Sequence, residues 1–475
     1  MTDTKHQESR TKPHFDANYW KLWVASVISN LGDGIGIIAY PWIASSVTRN
    51  PLLIAGIGVA QRLPWLVFSL PAGVITDRYD RRKLMVMMDF TRAALIGVMA
   101  VVVFGRQGSL PAPEIIEQGL PFVEDLTLYW VLLIGAMLLG FAEVLRDNAS
   151  QTILPAVVDA DDLESANARM WGAEVVANSF VGPFVGSVLL GIALSLPLGF
   201  DAASFAIAAV LVALMKGSFA PKRVSSGGER PNWKDEIREG VSWLRGHEVL
   251  WPMAIILGLL NAILAGQTAV FVLWAQEILG VDARQLAYLG TAGAVGGVAG
   301  SVLAKRVTAR LGSGTALAMT LTATAALALL MGFVRDWQLA WVLVIVGVFT
   351  GTVWNVITVS LRQTIIPDDI LGRVNSVYRF FAWGMMPIGL IVGGATVKIT
   401  EVLADRDLAL RMPFFVAAAA ATLLTVWAIP KLTTEKLESA RAEGVAAREL
   451  RMQAEETAGS DGESDSDDEP RSLEN

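Results

Sequence analysis

Gln151-Thr-Ile-Leu-Pro155 returns, with one residue changed, as Gln363-Thr-Ile-Ile-Pro367. Each copy follows a long apolar segment and precedes another. Each is trailed by acidic residues and an asparagine, Asn167 and Asn375. A phrase doubled at matching places in two halves of an apolar chain marks an internal repeat, a common way of building membrane-embedded proteins.

The 475 residues around it are 53% hydrophobic and only 17% charged, with a mean hydropathy of +0.49. A soluble chain of this length needs more charge on its surface, so this one reads as a polytopic membrane protein. It has no cysteine, which excludes disulfides, thiolate metal sites and a cysteine nucleophile. The three histidines, His6, His14 and His247, lie outside the apolar segments, so the usual proton shuttle and metal ligand is missing from the membrane. No cofactor, metal or nucleic-acid partner is expected, and the chain is expected to act as a monomer in the lipid bilayer. The polar, mildly basic start leads into the first apolar run without a small-residue cleavage site, which predicts an uncleaved signal-anchor helix.

Runs long enough to cross ~30 Å of hydrocarbon fall at 19–47, 52–75, 84–104, 127–146, 166–190 and 198–216. Six more follow at 250–275, 285–305, 313–334, 339–360, 376–399 and 412–430. The expected architecture is all-α, with twelve transmembrane helices in two six-helix bundles, 19–216 and 249–430, related by pseudo-two-fold symmetry. A tail at 1–18, a linker at 217–248 and a tail at 431–475 complete it. Lys and Arg concentrate in the loops holding Arg78 to Lys83, Lys216 to Arg223 and Lys305 to Arg310, which places both termini and the linker on the cytoplasmic side of the cell (inner) membrane. In the linker, Trp233, Ile237, Val241 and Leu244 recur at helical spacing. They predict an amphipathic helix that either lies on the inner leaflet or packs on the bundles. The last tail begins with helix-forming charged residues and ends in an acidic run, and is expected to be disordered.

The loop after the second run reads Gly73-Val-Ile-Thr-Asp77-Arg78-Tyr-Asp-Arg81-Arg82-Lys83. Gly73 permits close helix contact, Asp77 sits at a helix end where it can meet a cation, and the arginines meet anionic headgroups. This loop resembles the cytoplasmic signature of the major facilitator superfamily. With the six-plus-six spans, the resemblance covers roughly residues 15–430. It implies that Gly73, Asp77, Arg78, Arg81 and Arg82 form a conformational latch, with Asp77 stabilising the outward-facing state. The second half keeps only a degenerate copy, Gly300-Ser-Val-Leu-Ala304-Lys305-Arg306, in which Ala304 stands where Asp77 does.

A second likeness is to the superfamily's exporter signature in the fifth span. Here Asn178-Ser-Phe-Val-Gly182-Pro183-Phe-Val-Gly186-Ser187 keeps the central Gly-Pro-x-x-Gly and replaces the outer glycines. It implies efflux rather than uptake, while small residues beside a proline also serve plain helix packing. The fourth span lacks the mid-membrane arginine of many drug/proton antiporters. The doubled phrase, Asp201-Ala-Ala-Ser-Phe205 and Leu371-Gly-Arg373-Val-Asn375 instead resemble the exporter branch that holds the enterobactin exporter and macrolide- or tetracycline-efflux proteins.

Charges inside spans are costly and functional by default. Asp33 lies about 21 Å from either end of its span at 1.5 Å per residue. Arg62 is equally interior, so the two can pair, and protonating Asp33 then frees Arg62. Glu174, about 12 Å into the fifth span, is the second proton-coupling candidate. Asp89 with Arg92, and Glu143 with Arg146, are expected to satisfy each other locally. Asp201 is expected to cap the sixth helix. Asn30, Asn178, Asn261, Gln267 and Asn355, with Trp42, Trp65, Trp354 and Trp383, are candidates to line a cavity.

These readings point to a secondary active exporter of an amphipathic small molecule, of the multidrug or antibiotic type, driven by proton antiport. No phosphate-cradling Gly-x-x-x-x-Gly-Lys-Ser/Thr loop offers another energy source. Export of a siderophore or lysophospholipid, and a non-transporting receptor built on the same fold, stay open as alternatives. An enzyme is not expected, because no nucleophile or metal cluster lies at membrane depth.

Overall fold

The computed structural model describes residues 15–76, 78–110, 124–159, 162–217, 219, 233–447 and 450. Asp77, the first fourteen residues and the acidic end of the tail lie outside the described residues. Helices α1 (Ala17–Val47), α2 (Pro51–Thr76), α3 (Arg81–Arg106) and α4 (Leu126–Ile153) are the first four spans. The fifth span is α5 (Leu163–Val176), a π-helical segment (Ala177–Val181) and α6 (Gly182–Leu190); α7 (Leu196–Ala213) is the sixth. After the linker helix α8 (Trp233–Gly246) come α9 (Leu250–Glu277), α10 (Ala283–Leu311), α11 (Ser313–Phe333), α12 (Trp337–Ile365), α13 (Asp368–Leu403) and α14 (Arg406–Ala428). Among the described residues, twelve helical spans are long and apolar enough to cross a membrane.

Aspartates set many of the starts. Asp16, Asp80, Asp125, Asp282, Asp336 and Asp405 each accept a hydrogen bond from the backbone N–H three residues on, satisfying a donor that the first turn leaves free. Behind such a cap a helix starts before its apolar window, and others run past theirs at the C-terminal end. The last span begins at Arg406 rather than 412, and the fourth runs to Ile153 rather than 146.

The repeat is visible in the pairing of helices. In the first half, span one packs on five and six, two on four, and three on four and six. In the second half, seven packs on eleven and twelve, eight on ten, and nine on ten and twelve. Adding six to each number converts one set into the other. The contacts between halves obey the same rule: span two meets eleven as eight meets five. The doubled phrase occupies equivalent corners, one copy running out of α4 and the other out of α12.

The fifth span is broken for a legible reason. Pro183 has no N–H and its ring crowds the carbonyl four residues back, so the helix widens to the π form over Ala177–Val181 just before it. The widened turn rests on α1. A Cβ placed at Gly182 would stand 2.6 Å from Gly34 Cα, and one at Gly186 would stand 2.8 Å from the Ile35 carbonyl oxygen. Close backbone approach is therefore what these small residues provide here.

We call the end of the bundle holding Ala17 the near end, and the other the far end. At the near end α8 packs on α9 and α13, with Leu244 buried and Arg373 paired to Glu239 at 2.9 Å. That favours the packing reading of the linker helix. Residues 434–447, expected to be disordered with the rest of the tail, instead form a helix on the same half. Its Leu437 is fully buried and Lys436 pairs with Glu248 at 2.6 Å. A regular apolar stripe (Leu437, Ala440) inside a charged segment supplied enough burial to fold it.

Candidate functional site

Among the described residues, the seam between the halves is closed at one end only. On α2 and α13 it is continuous from the far end inward. A Cβ at Gly394 would lie 2.9 Å from the Pro51 carbonyl oxygen and 3.1 Å from Ala55 Cβ. Further in, Gly58 meets Leu390 and Gly384 meets Leu66 at 3.1–3.2 Å in the same measure. Trp65 stacks on Trp383 at 5.8 Å, and the Arg62 guanidinium lies over the Trp383 ring at 5.4 Å. A polar cluster seals the far end. Arg49, between α1 and α2, donates to Gln276 at 2.6 Å and lies 3.7 Å from Glu277, both on α9. Arg406 binds Glu277 at 2.9 Å and Glu401, and donates to the Arg49 carbonyl at 3.1 Å.

Toward the near end the picture changes. Nothing lies within 4 Å of a Cβ built at Gly73, so that glycine makes no close helix contact here, against the sequence expectation. Its counterpart Gly300 is crowded by Phe349 and Thr352 of its own half. Arg78 is exposed, and Arg82 donates to the Met215 carbonyl, again within one half. Among the described residues, the latch segment has no hydrogen bond or ion pair across the seam.

Between these ends the first half holds a chain of charges. Arg92 on α3 pairs with Asp33 on α1, lies 3.5 Å from Asp89, and donates to Ser29 Oγ at 3.3 Å. Arg146 on α4 reaches the same Asp89 at 3.4 Å and Asp147 at 3.4 Å. Asp89 and Arg92 are buried, while the Asp33 and Asp147 side chains are 26% and 33% exposed. An ionised group exposed at this depth faces water rather than lipid. The chain thus runs from the helix interior to the surface of a cleft.

This geometry corrects several expectations. Asp33 pairs with Arg92 and not with Arg62, because Arg92 reaches from α3 into the bundle interior toward α1 while Arg62 turns to the seam over Trp383. Arg146 pairs with Asp89 and Asp147 rather than Glu143. Asp201 is no cap: α7 starts at Leu196 with a proline in its first turn, leaving Asp201 inside the helix and 2% exposed. Trp354 and Trp42 are core residues, 5% and 4% exposed. Asn30 and Gln267 donate to carbonyls of their own helices, Ser26 and Ile263, and Asn261 ties α9 to the Ala382 carbonyl of α13 at 3.0 Å. Glu174 and Asn355 are exposed, Asn178 is half-buried in the π segment, and Trp383 sits on the seam. Sequence reasoning missed Arg92 as the partner of Asp33. It also missed the burial of Asp201, for which Pro197 near the helix start was the available signal. Among the described residues no cluster of His, Asp and Glu could hold a metal.

Comparison with known proteins agrees with this architecture. A family model described as transmembrane secretion effector matches residues 9–460. The multidrug efflux pump Tap of Mycolicibacterium fortuitum is 24% identical over 414 residues, 84% of this chain and 94% of that protein. Macrolide efflux protein A of Streptococcus pyogenes is 23% identical over 245 residues; the match covers 50% of this chain and 55% of that relative's length. Among solved structures, a bacterial homologue of the iron transporter ferroportin in its inward-facing state superposes with a TM-score of 0.66 at 14% identity, covering 88% of this chain and 98% of that one. At that identity the likeness speaks for the fold.

Proposed function

This chain belongs to the transmembrane secretion effector family, within the major facilitator superfamily, and on that premise we propose that it is a secondary active exporter. It exchanges protons for an amphipathic small molecule by alternating access, in the inner membrane with both termini in the cytoplasm. The observation that carries this reading is the one-sided seam, closed at the far end by Arg49, Glu277 and Arg406 and parted at the near end around Gly73. The near end holds the basic loops, so the positive-inside bias makes it cytoplasmic and makes the state inward-facing.

The charge chain supports protons as the coupling ion. Asp33, Asp89, Glu143, Asp147 and Asp201 outnumber the cations Arg92, Arg146 and Arg62 set against them in the first half, and an excess of acids is costly to hold in a low-dielectric site. Asp33 is the coupling carboxylate of this reading, since it joins the buried pair to the cleft. Taking up a proton there cancels the charge that holds Arg92 to α1 and releases the tie between α1 and α3. The stacked Trp65 and Trp383, with Arg62 above them, roof the cleft and suit an aromatic, lipophilic cargo.

The test is purified protein in proteoliposomes loaded with an amphipathic dye. Imposing a pH gradient is expected to drive dye movement that a protonophore abolishes, with matching proton flux in the opposite direction. Dye movement indifferent to the gradient refutes antiport. No movement with a panel of amphiphiles favours the receptor alternative.

A further inference from the structure

Asp201 is the buried acid that this mechanism leaves idle. Its Oδ1 has no hydrogen-bond partner, and the nearest hydroxyl, Ser204 Oγ, donates at 2.8 Å to the Asp201 main-chain carbonyl instead. Opposite it α1 presents Gly32 and Gly36. A Cβ at Gly36 would stand 3.7 Å from Asp201 Oδ2, and one at Gly32 would collide with Oδ1 and with Ser204. One turn beyond Gly36 the Tyr40 hydroxyl is likewise buried and unpartnered. A buried polar group left unpaired is costly, so the glycines make room for a carboxylate that lacks its partner in this state.

A donor lies one helical turn away. The Arg92 guanidinium stacks on Phe205, 3.6 Å from the ring centroid. Phe205 follows Asp201 by four residues, so ring and carboxylate share one face of α7, about 6 Å apart along the axis. A guanidinium pivoting on that ring leaves Asp33 on one side and meets Asp201 on the other. The titratable groups facing Asp201 are Asp33 and Tyr40 from α1, Arg92 from α3 and Glu143 from α4; α6, also packed against α7, contributes none.

We propose that Asp201 is the second seat of Arg92: when a proton neutralises Asp33, the guanidinium turns on Phe205 and pairs with Asp201, and it returns when the proton leaves. The proposal rests on Asp33 being the coupling carboxylate, and it supplies what that reading lacks. Without a second seat, a protonated Asp33 leaves Arg92 to share Asp89 with Arg146, whose other carboxylate, Asp147, sits at the edge of the cleft. With it, each proton moves the link between α3 and its neighbours from span one to span six, turning an ionisation into a change of helix partner. Asp201 is thus a positioning residue.

The decisive experiment uses Asp33→Asn, which fixes the neutral form, reconstituted in nanodiscs for cryo-electron microscopy. Arg92 is expected within hydrogen-bonding reach of Asp201, and a guanidinium still held at Ser29 and Asp89 overturns the proposal. In solution, Asp201→Asn is expected to lower Tm in the Asp33→Asn background and not in the native chain, because only there does Asp201 hold the cation. Equal losses refute it, and if Asp201→Asn does not fold, the Asp33→Asn structure decides alone. Gradient-driven export that survives Asp33→Asn while Arg92 has moved supports the second seat and removes Asp33 from coupling, so the two claims fail separately.

Discussion

Gly394→Ala tests whether the closed far end is one of two alternating states. The added methyl would stand 2.9 Å from the Pro51 carbonyl oxygen, 3.1 Å from Ala55 Cβ and 3.3 Å from Leu52 Cα. All three belong to backbone or to an atom fixed to it, so no side-chain rotation relieves the clash. Overpacking of this kind costs ~1–3 kcal/mol. The cost falls only on the state in which α2 and α13 touch at the far end, so the balance shifts toward far-end opening by about 5- to 150-fold. Two controls follow from the same geometry. Gly58→Ala meets only the flexible end of Leu390 at 3.2 Å and is expected to shift the balance less, and Gly73→Ala meets nothing and is expected to leave it unchanged. The chain has no native cysteine, so Ser109→Cys and Gln338→Cys, both exposed at the far end, give a clean spin-label pair for distance measurement. The expected result is a longer far-end distance in the order Gly394, Gly58, Gly73. A Gly394→Ala distribution no longer than that of Gly73→Ala refutes the steric account of the seam.

Asp33→Asn is expected to fold and insert normally but to lose pH-gradient-driven export, measured as dye efflux from vesicles; export at the native rate sinks its assignment. Arg92→Ala strands Asp33 and Asp89 without their shared cation and is expected to cost about 3–5 kcal/mol, seen as a fall in detergent Tm that an unchanged melting curve would contradict. Trp383→Ala removes both the stack on Trp65 and the ring beneath Arg62. At ~0.5–1.5 kcal/mol for an aromatic pair, KM for an aromatic cargo should rise about 2- to 10-fold with kcat little changed, and a kcat effect alone would place the tryptophan in gating instead. Leu437→Ala empties a fully buried position under the tail helix and is expected to cost about 2–5 kcal/mol; a surface-like loss below 0.5 kcal/mol would mean that helix is undocked.

The twelve spans and their division were legible because hydrocarbon thickness dictates the length of an apolar run, and because Gln151–Pro155 has an echo at Gln363–Pro367. Span ends were less so, since polar residues continue a helix once an aspartate has capped it. Arg406 to Arg411 read as loop yet belong to α14. The pairing of charges was legible only within one helix, where Asp89 meets Arg92 three residues on as the spacing predicts. Whether Asp33 meets Arg62 or Arg92 depends on how α1 is rotated against its neighbours, and depth along a helix carries no information about azimuth. Trp354 failed similarly, for a tryptophan fits a core as well as a cavity wall. The glycines at 32 and 36 were the overlooked hint, four residues apart on one face of the first span, where close approach or a guest side chain was the implied use.

The helices capping the near end belong to one half alone. α8 and residues 434–447 are both bolted to the second bundle, through Arg373–Glu239, Lys436–Glu248 and the buried Leu244 and Leu437. The first bundle has no such ballast among its described residues. On the proposed mechanism, chemical work is delivered to the lighter body and resisted by the heavier one, the division between rotor and frame that lets a small torque produce displacement rather than recoil.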